Sequence, residues 1–120
     1  MYPEAERMRF AGRLYNDMLE AVDREGISLS PYALRFLHMS SEAWFHDPPN
    51  LPRAASNPAE VPPEQLYGLA RDSFDRAMEE HRDVFRAETE RRGSLSFPTL
   101  VHRLADATYK HLIAMGFKDE

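Results

Sequence analysis

The stretch from Pro62 to Gly93, PPEQLYGLARDSFDRAMEEHRDVFRAETERRG, limits what this chain can fold into more than any other. Leu66, Ala70, Phe74, Ala77, Met78, His81, Val84 and Phe85 recur every three to four residues. At 100° per residue they fall within an arc of roughly 120°, the pattern of a helix with one face on a core. The proline pair opens it, where missing N–H groups cost nothing. Gly93 suits the position just past its end, and Arg91 and Arg92 sit favourably at the negative end of the dipole. A helix of this length spans about 45 Å, so the remainder of a 120-residue chain must be arranged along it. Gly68 is its weak point, about 1 kcal/mol worse than alanine, and a bend or a late start is expected there.

Three shorter helices are expected around it. The first covers about residues 3–25, with Met8, Ala11, Leu14, Tyr15, Met18 and Val22 as its stripe and Gly26 as its stop. The second covers 31–46. Ser30 can cap it, Pro31 can take its first position, and Leu29 can pack on Leu34 as a hydrophobic staple. Its main stripe is Ala33, Leu34, Leu37, Trp44 and Phe45. Residues 47–61, DPPNLPRAASNPAEV, hold four prolines, which exclude regular helix or central strand. The last helix covers 97–115, with Ser96 as its cap. Phe97, Leu100, Val101, Leu104, Ala105, Thr108, Leu112 and Met115 form its stripe, and Gly116-Phe117 suits a Schellman ending. No segment alternates with period two. The expected fold is therefore all-α: one four-helix bundle-like domain with a long third helix and a Pro-rich crossover loop between helices 2 and 3.

Composition narrows the function. The net charge of −5 disfavours generic binding to nucleic acid or an anionic membrane. No apolar run approaches a membrane span, and Glu4, Glu6, Arg7 and Arg9 stand where a signal peptide needs apolar residues, so a cytoplasmic location is expected. The absence of cysteine removes disulfides, thiolate metal sites and cysteine nucleophiles.

Helix 2 is apolar on two sides. Besides its main stripe it carries Tyr32, Phe36, Met39 and Ala43 on the far side, the pattern of a helix either central in the fold or half-covered by a partner. His102, Tyr109 and Ile113 occupy the side of helix 4 opposite its stripe. Tyr32, Phe36, Met39, Tyr109 and Ile113 are the expected partner-binding residues. The partner is another protein, of a kind an inhibitor, immunity protein, adaptor or assembly factor would bind, or a second copy in a homodimer.

Signals for chemistry are sparser. Asp72, Asp75, Glu79 and Asp83 form a ridge that could hold Mg²⁺, but Arg71, Arg76, Arg82 and Arg86 interleave with it and favour ion pairs such as Arg71/Asp75 and Asp72/Arg76. Glu80 and Asp83 make one E-x-x-D, without the upstream E-x-x-E that an all-α nucleotide pyrophosphohydrolase needs. His38, Glu42 and His46 are spaced by four, but each step turns 40°, so the outer two diverge. His81 lies within the apolar arc, as a core histidine with one polar partner or as a catalytic group in a pocket. Arg76 and His81 form an R-x4-H pattern that resembles the R-x4–6-H motif of the HEPN family of small all-α ribonucleases. That resemblance implies Arg76 and His81 as catalytic residues acting on RNA. The position after the arginine, usually polar in that family, is Ala77, and residues five apart on one helix point about 140° apart. With no P-loop, G-x-G-x-x-G, H-E-x-x-H or G-x-S-x-G present, the sequence points to a binding protein without cofactor or metal. The alternative is a small helical enzyme acting on RNA or phosphate-containing substrates, HEPN-like or metal-dependent.

Overall fold

A computed structural model of the chain describes residues 3–46 and 62–116. Among these residues the chain forms four helices: α1 (Glu4–Arg24), α2 (Pro31–His46), α3 (Pro63–Arg92) and α4 (Phe97–Ala114). The expected Pro-rich loop, 47–61, lies outside the described residues, as does Phe117. Helix α3 starts at Pro63 and runs unbroken through Gly68 for 30 residues, which accounts for the molecule's longest dimension of 44 Å. Gly93 ends it with φ of 87°, a left-handed backbone that its missing Cβ permits, and its N–H bonds Thr89 O at 2.7 Å. Ser30 caps α2 as expected, its Oγ accepting the Ala33 N–H at 3.2 Å.

The helices form two antiparallel hairpins, α1–α2 and α3–α4. Their turns lie side by side at one end of the molecule. There the Ser30 N–H bonds Leu95 O at 3.0 Å and the Leu95 N–H bonds Ser28 O at 2.6 Å, a parallel bridge between Leu29 and Leu95. Helices α1 and α3 therefore point the same way, and so do α2 and α4. Packing runs around a ring, α1 to α2 to α4 to α3 and back to α1, with α2 and α3 also touching across the centre. Arg82 and Arg86 of α3 lock the same end: both reach the Glu25 carboxylate, at 2.6 and 2.9 Å, and Arg86 Nε donates to Glu25 O at 2.8 Å. A cation thus satisfies a free carbonyl at the end of α1.

The core is Leu14, Leu37, Phe45, Leu66, Phe74, Phe85, Leu95, Leu100 and Leu112, all buried. Each such side chain contributes about 1.5–3 kcal/mol by leaving water. Three stripes differ from expectation. In α2 the buried line is Ala33, Leu37, Ser41 and Phe45, spaced by four, while Leu34, expected on the main stripe, is exposed. Ser41 tolerates burial because its hydroxyl donates to Leu37 O at 2.8 Å. In α3 Val84 is exposed, and Leu69 and Glu88 are buried. In α4 the buried line is Leu100, Leu104, Ala107 and His111, with Phe97, Ala105 and Met115 exposed. Scoring Ser41, Glu88 and His111 as polar rotates the apparent apolar arc away from each true seam.

Candidate functional site

The apolar surplus of this fold is concentrated on one pair of helices. Among the described residues, the large apolar side chains more than about a third exposed are Tyr32, Leu34 and Met39 on α2, Phe97, Tyr109 and Ile113 on α4, Met115 directly after α4, and Val84 on α3. Tyr32 (73% exposed) and Met39 (62%) stand fully on the surface. Phe36, one turn from each, is half-buried because its ring meets Phe97 of α4 edge-on, centroids 5.7 Å apart. That contact joins the two helices' outer faces. Tyr109 and Ile113, four residues apart, sit further along α4, also exposed. Charges are thin on these helices. Apart from histidines, α2 carries only Arg35 and Glu42, and α4 only Arg103, Asp106 and Lys110. Helices α1 and α3 hold most of the remaining charge.

The polar candidates gather on the opposite seam, between α3 and α4. Glu80 and His81 of α3 meet Asp106 of α4, one ligand atom of each lying within 4.8 Å of the others. One imidazole and two carboxylates are donors a divalent transition metal accepts. His81 is nearly enclosed, its ring beside Phe85, and its Nε2 has no hydrogen-bond partner, the nearest carboxylate oxygen being Glu80 Oε2 at 3.8 Å. Lys110 already supplies a cation: its ammonium holds Asp106 at 3.0 Å. That hydrogen bond lowers the Asp106 pKa and raises that of Lys110. A metal ion here would have to displace the lysine.

One turn further along the seam, His111 is only 4% exposed and neither ring nitrogen has a partner. Burial, reinforced by the Arg76 charge and opposed by Asp72, lowers its pKa from the ordinary histidine value. Arg76 thus bears on His111, whereas His81 faces Glu80 and Asp106. The arginine–histidine pair of the R-x4-H pattern points to different neighbours along an unbroken helix. In the carboxylate ridge of α3, Asp75 pairs with Arg71 at 3.3 Å, while Arg82 turns away to Glu25. His38, Glu42 and His46 do not converge either. His38 approaches Glu42 at 3.4 Å, and His46 turns to Glu4 of α1 at 3.6 Å.

Two buried charges carry structure that the sequence reading missed. Arg7 donates to Phe45 O near the end of α2. Glu88 accepts the Ser96 N–H at 2.8 Å and the Thr99 hydroxyl at 2.9 Å, and Thr99 Oγ1 in turn accepts the Ser96 hydroxyl at 3.1 Å. A capping box uses a glutamate three residues into the helix; here the glutamate comes from the preceding helix instead. Ser96 sits at the expected cap position, but its side chain makes no cap bond. Burial alone would raise the Glu88 pKa, yet the bonds from Ser96 and Thr99 and the nearby Arg92 charge bring it below its ordinary value. Sequence spacing could have hinted at Arg7 only through its place one turn before Ala11 on the apolar side of α1.

No helix among the described residues is long and apolar enough to cross a membrane. No protein-family model matches the chain, and no curated protein or solved structure matches it.

Proposed function

We propose that this protein acts by binding another protein through the outer face of α2 and α4, as an inhibitor, immunity protein, adaptor or assembly factor does. The observation behind this reading is the concentration of exposed large apolar side chains on two adjacent helices that carry few charges. The centre of a binding interface is depleted in charge and enriched in aromatic residues and methionine. Tyr32, Phe36 and Met39 form the anchor set, and Tyr109 and Ile113 extend it. Two helices of this length lying side by side present a footprint of about 25 by 20 Å. With side-chain relief, that approaches the roughly 800 Å² per partner of a standard interface. A partner helix laid along the α2–α4 groove fits such a face.

The test is site-specific crosslinking. A photo-crosslinking residue at Tyr32 or Met39 should trap a discrete partner, and the same residue at Glu79 on α3 should not. Light scattering of the purified protein settles whether that partner is a second copy. Equal capture from both faces, or none from α2, would remove the proposal.

The enclosed His81 Nε2 beside two carboxylates favours one second reading, a small helical enzyme acting on RNA or a phosphate-containing substrate with His81 as acid or base. Its test is an RNA-cleavage assay in which His81→Ala abolishes turnover and Lys110→Met, which leaves the imidazole in place, does not.

A further inference from the structure

The α3–α4 seam has a second feature near its turn. Between the end of α3 and the start of α4 runs an open groove of about 660 Å³. That size suits a small organic ligand. Val84, Ala87 and Pro98 supply its apolar part, and Arg91, His102 and Arg103 line it with cationic or protonatable groups. Among the described residues Val84 is also the only large, substantially exposed apolar side chain on α1 or α3.

The two guanidinium groups of the groove lack a carboxylate partner among the described residues. Of the other arginines of α3, Arg71 pairs with Asp75, and Arg82 and Arg86 pair with Glu25. Arg91 and Arg103 make no hydrogen bond or ion pair with any described residue. Among the described residues the only carboxylate in the groove wall, Glu88, is already committed to the Ser96 N–H and the Thr99 hydroxyl and is buried. Two guanidinium groups with no partner among the described residues and one imidazole thus line the same apolar patch.

We propose that this groove binds a small phosphomonoester. The phosphate sits among Arg91, His102 and Arg103, and the organic body rests on Val84, Ala87 and Pro98. A phosphate offers a charge near −2 and three acceptor oxygens at one point, so it can engage donors from α3 and α4 together. A single carboxylate fills one guanidinium fork and leaves the other unmatched. An acidic peptide spreads its charges at about 3.3 Å per residue and fits a longer track than this one.

Phenyl phosphate is the probe, titrated into the isotope-labelled full chain at low ionic strength and followed by amide and side-chain NMR shifts. The expected result is saturable shifts confined to 84–91 and 99–103, with phenyl phosphate bound more tightly than inorganic phosphate. Arg91→Gln and Arg103→Gln should each weaken binding by about tenfold. Arg103→Lys should recover part of that loss, which separates charge from packing, and Arg9→Gln on α1 should change nothing. No saturation at tens of millimolar would overturn the proposal. So would equal affinity for the wild type and the two glutamine variants, which is an adventitious ion only. Tighter binding of a penta-glutamate peptide than of phenyl phosphate would also overturn it and make the groove a peptide site.

Discussion

Removing the Glu88 carboxylate is the sharpest test of how α4 is held. In Glu88→Ala the Ser96 N–H and the Thr99 hydroxyl lose their acceptor while half-buried. Hydrogen bonds to a charged group contribute about 1.5–3 kcal/mol each, and the desolvation of a buried carboxylate offsets part of that. The net cost is about 3 kcal/mol. For a domain of this size the entropy of unfolding makes each kcal/mol about 4 °C, so the melting temperature should fall by about 12 °C. Glu88→Gln keeps the shape: its carbonyl can still accept from Ser96 and its amide can donate to Thr99. It loses only the charge and should cost about 1 kcal/mol. The pH dependence follows from the sign of the shift. The folded pKa of Glu88 lies below its ordinary value of 4.5. The charged form therefore stabilises the fold fully above about pH 4.5, and this contribution is lost as the pH falls through the folded pKa. Urea unfolding of the wild type and Glu88→Gln should show a gap at pH 7 that narrows toward pH 3. A cost below about 1 kcal/mol for Glu88→Ala, or a gap that widens in acid, would refute the argument.

Other substitutions probe other parts of the molecule. Tyr32→Ala and Met39→Ala should each leave the melting temperature within about 2 °C, and Met39→Ala should weaken the crosslinked partner's affinity by about 2 kcal/mol, measured by calorimetry. His111 is held below its ordinary pKa of 6.5, so the unfolded chain takes up a proton first and stability declines as the pH drops below 6.5. His111→Leu should remove that decline and stabilise the protein by about 1 kcal/mol at pH 7, read from urea unfolding at both pH values. Gly93→Ala should cost about 1 kcal/mol in thermal unfolding: no atom lies within 4 Å of the added Cβ, so the penalty is the left-handed backbone alone.

Helix existence and limits were legible because their signals are local. Pro31, Pro63 and Pro98 open helices, Gly26, Gly93 and Gly116 follow their ends with positive φ, and the leucine and phenylalanine spacing fills the space between. The precise faces were less legible. Val84 lies on an edge of the α3 arc, and only the position of α4 decides that it meets solvent. His111 and Ser41 are buried because neighbours close over them, which no wheel of a single helix registers. Arg86 and Glu25 are 61 positions apart in sequence, so their contact had no local trace. Tyr32, Phe36 and Met39 are legible because a second apolar stripe breaks helix amphipathicity; Tyr32 and Met39 are exposed and Phe36 is half-buried against Phe97. The cationic groove escaped notice because its parts come from two helices and each part alone is an ordinary surface residue.

The paired turns have a mechanical consequence. Backbone groups of one hairpin finish the hydrogen bonding of the other at the Leu29–Leu95 clasp, so sliding the hairpins by even one residue would unlatch both bonds. Motion between the two halves is therefore restricted at that end. Near the start of α3 a second tie joins them, where the Tyr67 hydroxyl donates to Asp17 of α1 and the Arg13 guanidinium lies over the Tyr67 ring. A partner that prises the molecule apart would have to break both.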